Sequence, residues 1–375
     1  RMGVTTGVAG NCGILRQDVG DFLRFIDAHG APINYASFVG HAYLRAKAGN
    51  EDLYAKTSGV AFDRMKLMCN RALTEGAVGI SFGLEYAPGT DTDEAIKLSN
   101  AVKENVFLLS AHYRKDVDQA VPSVRELIEI SRETDLPMQI SHIGSCAAFG
   151  QMSDTLSLLG EAVKSGVDIA ADCYPYAAFC TMIGSAIFDE GCFESWGCSY
   201  DSILLTESPY RNVRCDKKLF YKVRQEFPDM TAVAFVMDEN EVAEAIRSPL
   251  VMLASDGIMR KSQGHPRAAG AFPRILGRYV RKMKVLTLME ALRKMTSMPA
   301  ERLGLKRKGR IAEGMDADLV IFDPLTIIDN ATFDSPAEMP SGIQYVILDG
   351  KIAVHNNQIL RNRLGCAIRR QELQK

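Results

Sequence analysis

The chain of 375 residues has room for one large barrel or two ordinary domains. It is 47% hydrophobic and 24% charged with a formal net charge of -2, so nothing indicates a nucleic-acid partner, and no apolar run reaches the roughly 20 residues that span a bilayer. Nine cysteines without a Cys-x-x-Cys pair are typical of a reducing compartment, and we expect a cytoplasmic protein without a membrane partner.

Strand and helix patterns alternate from the first residues onward. Continuous apolar runs, the expected core strands, begin at Gly3, Ile33, Ala77, Val106, Met138, Val167 and Val251. Such runs with helices between them are typical of parallel strands buried on both faces. The pattern predicts an α/β fold of the (β/α)8 TIM-barrel type, which needs eight strands. Thr231–Val236 either supplies the eighth strand or belongs to an insertion.

Two segments depart from this alternation. Residues from about 177 to 230 contain the single tryptophan, Trp196, and four cysteines, and they predict an insertion over the strand ends. After Lys308 the sequence becomes strand-like, and Asp349-Gly350 predicts a hairpin with a type I′ turn. We therefore expect a barrel over residues 1–307 and a small β unit over residues 308–375.

Polar side chains follow four of the predicted strands at the point where each strand ends. They are Cys12, His112, His142 and Asp256. The carboxyl ends of barrel strands form one face, so these residues are expected to converge there. A thiolate and two imidazoles suit Zn²⁺, which lowers the pKa of bound water to about 7. Asp256 would then act as the general base.

Each of these residues also has an ordinary structural explanation. Cysteine is often a small buried hydrophobe, a strand-end histidine can be structural, and Asp-Gly is common in turns. His41 also ends a strand, so the pattern over-predicts. The joint placement at one end of four strands favours a site.

The loop after Asp256 suits an anionic substrate. Arg267 and Arg274 lie there, and arginine binds carboxylates through paired hydrogen bonds. Tyr174, at another strand end, could donate to the same group. For each arginine the alternative is a surface or helix-capping role, and His265 is predicted to be structural.

Several motifs resemble the N-acyl-D-amino-acid deacylase (D-aminoacylase) branch of the amidohydrolase superfamily. They include Gly10-Asn11-Cys12-Gly13, His112-Tyr113-Arg114, Ile140-Ser141-His142, Asp172-Cys173-Tyr174-Pro175-Tyr176, Ser255-Asp256-Gly257, His265-Pro266-Arg267 and Phe272-Pro273-Arg274. The resemblance implies a zinc-dependent hydrolase that releases free D-amino acids from small N-acylated substrates. The residues that it implies are Cys12, His112 and His142 for metal, Asp256 for catalysis, and Tyr174 and Arg267 for the substrate carboxylate.

The chain also departs from this family. Members carry a His-x-His pair on the first barrel strand, after one half of a small β-sandwich, and this sequence has no such pair. We therefore expect a fragment whose barrel lacks its first strand, with a C-terminal β-sandwich half. One or two zinc ions are implied, and the ligands of the second position are missing. Cys180 and Ile143-Gly144 differ from the family near the expected pocket.

Two alternatives remain open from the sequence. One is a cyclic-amide hydrolase related to hydantoinases or dihydroorotases, although the Cys12 motif argues against it. The other is a catalytically inactive barrel, because the His-x-His motif is absent.

Overall fold

The computed structural model describes residues 2–373, so Arg1, Gln374 and Lys375, which fall within the predicted domains, lie outside the described residues. Its central feature is a series of parallel strands in chain order. The strands are Thr6–Ala9, Asn34–Ser37 with Val39–Gly40, Gly79–Gly83, Leu108–His112, Met138–Ile140, Ile169–Cys173 and Val251–Leu253.

Each parallel strand pairs with the next one along the chain. Gly79–Gly83 is in register with Leu108–His112, for example, with Gly83 opposite His112. Within residues 2–373, no pairing joins the first strand, Thr6–Ala9, to the last, Val251–Leu253. The seven predicted core strands are confirmed, and the series is open at the position of an eighth.

Helices connect these strands and cover them. They are Val19–His29, His41–Lys47, Gly59–Thr74, Thr92–Ala101, Ala120–Thr134, Ile143–Ala147, Met152–Lys164, Glu239–Arg247, Arg267–Arg274, the π-helix Ile275–Lys282, Leu288–Met295, Ser297–Arg302 and Arg370–Leu373. Asp91 caps one of them by accepting from the backbone N–H of Glu94. None of the helices in residues 2–373 has the length and apolarity to cross a membrane.

The predicted insertion forms its own antiparallel sheet. Its strands are Phe179–Met182, Ile203–Leu205, Val213–Arg214 and Thr231–Ala234, accompanied by the helices Cys192–Trp196 and Lys217–Glu226. Thr231–Ala234 pairs with Phe179–Met182, so the strand left open by the sequence belongs to the insertion. Phe179–Met182 is an edge strand of this sheet.

The C-terminal β unit is a four-stranded antiparallel sheet. Its strands are Leu319–Phe322, Ile343–Leu348, Lys351–His355 and Gln358–Ile359. Asp349 and Gly350 have φ values of 50° and 70°, which confirms the type I′ hairpin because both central residues of that turn need positive φ. A hydrogen bond of 2.8 Å from Asn34 to Asp318 ties the start of this unit to the parallel strands.

Candidate active site

Three of the predicted residues meet at the carboxyl ends of the parallel strands. Cys12 Sγ lies 3.4 Å from His142 Nε2, and His112 Nδ1 lies 3.1 Å from the same nitrogen. The three donor atoms all lie within 4.8 Å of one another. A tetrahedral zinc ion with bonds of about 2.0 to 2.3 Å separates its ligand atoms by roughly 3.3 to 3.6 Å. The thiol and imidazoles thus suit such a cation in chemistry, and the two separations at His142 Nε2 are close to this range.

The backbone around these donors is strained. Cys12 and His142 have φ values of 56° and 40°, and Asp256 has 46°. Residues other than glycine rarely adopt this left-handed conformation, and it concentrates at functional sites. At Gly83, any side chain would clash with the carbonyl oxygen of Cys12. Glycine there lets the Cys12 loop approach the neighbouring strand closely enough to reach the histidines.

A carboxylate fixes the imidazole of His112. Its Nε2 lies 3.0 Å from Glu85 Oε2, and both side chains are buried. With Nε2–H donating to the carboxylate, Nδ1 presents its lone pair to Cys12 and His142. A carboxylate behind a histidine is the usual arrangement around protein-bound metals.

The other histidine, His142, is fixed by a hydroxyl network. Its Nδ1 lies 2.9 Å from Ser145 Oγ, which also accepts a hydrogen bond of 2.9 Å from the hydroxyl of Tyr113. The backbone N–H of His142 donates to Asp172 at 2.8 Å. With Nδ1–H donating to Ser145, Nε2 is left as the lone-pair donor toward Cys12.

Burial dominates the electrostatics of this cluster. It lowers the pKa of His112 to about 3 and that of His142 to about 4, so both imidazoles are neutral donors at pH 7. Burial also raises the pKa of Cys12 well above its ordinary value. Glu85 has its pKa raised to about 8 by burial, against the opposing charge of Lys115. A bound cation favours the thiolate and carboxylate forms of these last two groups.

Asp256 lies beside the three donors and is paired with Arg267. Its charge contributes to the pKa of Cys12, His112 and His142. Its Oδ2 accepts from Arg267 Nη2 at 2.9 Å. Burial acts to lower the pKa of Arg267, but Asp256 raises it, and the net shift is upward. The four residues that the sequence analysis placed at strand ends therefore lie close together.

Arg267 is a buried cation with unused donors. It is 2% exposed, and within residues 2–373 its Nε and Nη1 have no hydrogen-bond partner. Its guanidinium lies 4.4 Å from the ring centroid of Tyr174. A buried guanidinium with open N–H groups is suited to an anionic ligand.

Other residues considered from the sequence lie elsewhere. His41 is buried against Glu94 at 2.8 Å, as its structural explanation requires. Arg274 pairs with Asp329 at 3.2 Å and donates to the carbonyl of Pro175, so its guanidinium is already engaged. Arg267, the other candidate, is the arginine at the site.

The sequence did not identify the residues that orient the donors. Glu85, Ser145 and Asp172 contact the two histidines. The available signal was position: Glu85 lies two residues beyond the strand Gly79–Gly83, Ser145 follows His142 by one turn of helix, and Asp172 lies near a strand end.

Comparisons with known proteins agree with this geometry. The model described as "Amidohydrolase family" matches residues 223–354. A D-aminoacylase of Alcaligenes xylosoxydans xylosoxydans is 33% identical over 378 residues, which cover 93% of this chain and 77% of the relative.

Two solved structures are similar over 98% of this chain and 83% of their own. One is a D-aminoacylase with a binuclear metal centre, at 28% identity and a TM-score of 0.87. The other is N-acyl-D-glutamate deacylase from Bordetella bronchiseptica complexed with zinc and a phosphonate inhibitor, with 31% identity and a TM-score of 0.87. The predicted fold class is thereby confirmed. The chain belongs to the D-aminoacylase branch of the amidohydrolase family, whose members are hydrolases of carbon–nitrogen bonds other than peptide bonds.

Proposed function

We propose that this chain hydrolyses the amide bond of N-acyl-D-amino acids and releases a carboxylate and a free D-amino acid. The observation that carries the proposal is the convergence of Cys12, His112 and His142 beside Asp256. The D-configuration of the substrate is taken from the relatives, which include an N-acyl-D-glutamate deacylase.

In this proposal Cys12, His112 and His142 hold a divalent metal, with zinc as the favoured ion. Mixed sulfur and nitrogen donors suit zinc, and one similar structure contains it. When bound, the ion would polarise the amide carbonyl and supply hydroxide at neutral pH.

Asp256 moves the proton. Its Oδ2 is engaged by Arg267 at 2.9 Å, so Oδ1 is the oxygen that we assign to proton transfer. It would take the proton from the attacking water and deliver it to the leaving amine nitrogen. The pairing with Arg267 orients this carboxylate before the reaction.

Arg267 and Tyr174 bind the substrate's α-carboxylate. The Nε and Nη1 of Arg267 have no partner within residues 2–373, and we assign Nη1 as a charged N–H donor to that carboxylate. Tyr174 packs its ring against that guanidinium. Its hydroxyl, which donates to Met237 Sδ at 3.9 Å, is the further donor that we assign to the carboxylate. Substrates are thus anchored by their free carboxylate, while the acyl group faces the metal ligands.

We also propose the domain division predicted from the sequence: a barrel over residues 1–307 with an insertion, and the C-terminal part of a small β-sandwich domain over residues 308–375. The antiparallel insertion sheet, which extends to Ala234, supports it.

A comparison of three classes of substrate tests the proposed function. Purified protein is loaded with zinc and given acetyl-D-amino acids, acetyl-L-amino acids and hydantoins, and the release of amine or ring-opened product is measured by chromatography. We expect cleavage of the acetyl-D-amino acids alone. Cleavage restricted to L-substrates or rings would overturn the proposal, and a metal-loaded protein that cleaves none would favour the inactive barrel.

A further inference from the structure

His265 is fully buried beside Arg267, and both of its ring nitrogens are engaged. Nδ1 accepts from the backbone N–H of Arg267 at 3.0 Å, and Nε2 lies 3.1 Å from the carbonyl oxygen of Ala178. A nitrogen that accepts carries no proton, so the ring is the neutral Nε2–H form, with Nε2 donating to Ala178. The two contacts specify a single tautomer and a single ring orientation.

The backbone contact satisfies a helix terminus. Arg267 begins the helix Arg267–Arg274, and the first N–H groups of a helix have no partner within it. His265 Nδ1 takes one of these N–H groups, as a capping side chain does. The imidazole thereby sets where the helix starts and the direction in which the side chain of Arg267 leaves it.

The spacing of His265 and Arg267 matches that of two carbonyls at a buried strand edge. His265 donates to the carbonyl of Ala178, and Arg267 Nη2 donates to the carbonyl of Cys180 at 3.0 Å. Residues two apart in a strand direct their carbonyls to the same side. Two side chains two residues apart therefore bind two carbonyls two residues apart, one just before the edge strand Phe179–Met182 and one within it.

Aromatic rings enclose the imidazole. Tyr176 and Phe333 each place their ring centroids 5.0 Å from it, both edge to face. Tyr174, whose ring packs on the guanidinium of Arg267, lies 6.3 Å away. The imidazole has little room to turn, so its hydrogen bonds stay aimed at Ala178 and Arg267.

We propose that His265 is a positioning residue that fixes Arg267 for the substrate's carboxylate. The inference rests on the proposed function, because Arg267 is the group there that binds the carboxylate. His265 does not touch the substrate in this account. It binds the backbone N–H of Arg267 through Nδ1 and the carbonyl of Ala178 through Nε2. The start of the helix is thereby held against the strand whose Cys180 carbonyl accepts from the guanidinium.

Three substitutions separate the two hydrogen bonds. His265→Phe keeps a ring for Tyr176 and Phe333 and removes both bonds. His265→Asn places an amide oxygen near Nδ1 and restores the acceptor for Arg267. His265→Gln places an amide nitrogen near Nε2 and restores donation to Ala178. Tyr176→Phe is the matched control, since it keeps the ring against His265 and removes only a hydroxyl.

Two substrates reveal whether the effect passes through Arg267. We expect His265→Phe to raise KM for an acetyl-D-amino acid about tenfold or more while kcat changes less than about threefold. The kcat/KM for the corresponding carboxamide, which lacks the negative charge, should stay unchanged. The Asn and Gln variants should each have a KM between those of His265→Phe and the wild type. Tyr176→Phe should have the wild-type KM and kcat. An equal loss on both substrates, or no change in KM, would overturn the inference.

Binding distinguishes this inference from the proposed function. If the wild type binds acetyl-D-amino acids by calorimetry without cleaving them, the proposed function fails, and weaker binding by His265→Phe still supports the positioning role. Equal binding by the two proteins overturns it, and a wild type that neither binds nor cleaves overturns both. If no variant folds, ¹⁵N spectra of the wild type decide: we expect the Nε2–H form at His265, and an Nδ1–H form contradicts the proposal.

Discussion

Glu85 and His112 form a buried pair in which the carboxylate oxygen lies 3.0 Å from the imidazole Nε2. The opposite nitrogen of the same ring, Nδ1, lies 3.1 Å from His142 Nε2. One side of His112 is therefore fixed by Glu85, and the other is directed at the proposed metal position. A substitution at Glu85 changes the orientation and basicity of a ligand without removing any ligand atom.

Glu85→Gln should weaken metal binding about 10-fold to 100-fold, the usual cost of losing a carboxylate behind a metal-bound histidine. The amide cannot supply the negative charge that makes the imidazole a stronger donor. Affinity is measured by competition with a chelator of known strength, so the result does not depend on catalysis.

Glu94→Gln is the matched control for that measurement. Glu94 contacts another buried histidine, His41, at 2.8 Å, and neither residue belongs to the donor cluster. The control should affect folding stability and leave metal affinity unchanged. Equal metal affinity in wild type and Glu85→Gln would exclude the role given to Glu85.

The parallel strands and their polar ends could be predicted from sequence. Continuous apolar runs mark strands buried on both faces, and the carboxyl ends of such strands must lie together. Cys12, His112 and His142 follow from that rule, and the donor distances confirm that they converge. The rule also selected His41, whose partner Glu94 became visible only in three dimensions.

The partners of the donors could not be predicted in this way. Glu85, Ser145 and Asp172 reach the histidines from different elements, and their positions near strand and helix ends do not by themselves identify which side chain they contact. Thr231–Ala234 is a similar case, because its affiliation depends on pairing with Phe179–Met182, about fifty residues earlier in the chain. The partners of the histidines and the sheet to which Thr231–Ala234 belongs both depend on contacts between segments that are distant in the sequence.

Cys12→Ala should abolish metal retention. The thiolate is the only anionic donor among the three converging groups, and two neutral imidazoles bind a divalent cation much less tightly. Metal content after dialysis is measured by mass spectrometry. Cys69→Ala is the control, since Cys69 is fully buried in the helix Gly59–Thr74. If the Cys12 variant retained as much metal as the control, Cys12 would not be a ligand.

Asp256→Asn should keep the metal and lose turnover. The amide cannot accept the proton from water, and general bases contribute about 10² to 10⁴ in rate. Metal content and kcat are measured on the same preparation. Asp329→Asn is the control, because it alters another arginine–aspartate pair, with Arg274 at 3.2 Å. An Asp256→Asn protein that turns over at the wild-type rate would remove Asp256 from the role of base.

Asp116 and Trp196 form a pair that a spectroscopic measurement can follow. The indole Nε1–H donates to Asp116 Oδ2 at 2.8 Å, and Trp196 is the single tryptophan of the chain. Burial, with the charge of Glu85 as a second cause, raises the pKa of Asp116 to about 7. The protonation of this carboxyl should therefore change within the neutral range.

Tryptophan emission should shift between about pH 6 and pH 8, with a midpoint near 7, because ionising Asp116 changes the charge that accepts the indole N–H. The same raised pKa determines whether the protein becomes more or less stable as the pH rises. The folded state holds this proton up to about pH 7, whereas the unfolded carboxyl releases it near pH 3.9. Asp116 therefore makes the free energy of unfolding fall as pH rises from about 4 to 7.

Asp116→Asn should remove the emission shift and make the protein less sensitive to rising pH in that window, since an amide does not titrate. Glu194→Gln, in the same short helix as Trp196, is the control and should keep the wild-type titration because Glu194 is exposed. Emission and denaturant midpoints are recorded across pH for all three proteins. An emission shift that persists in Asp116→Asn would assign the titration to another group and refute the raised pKa of this carboxyl.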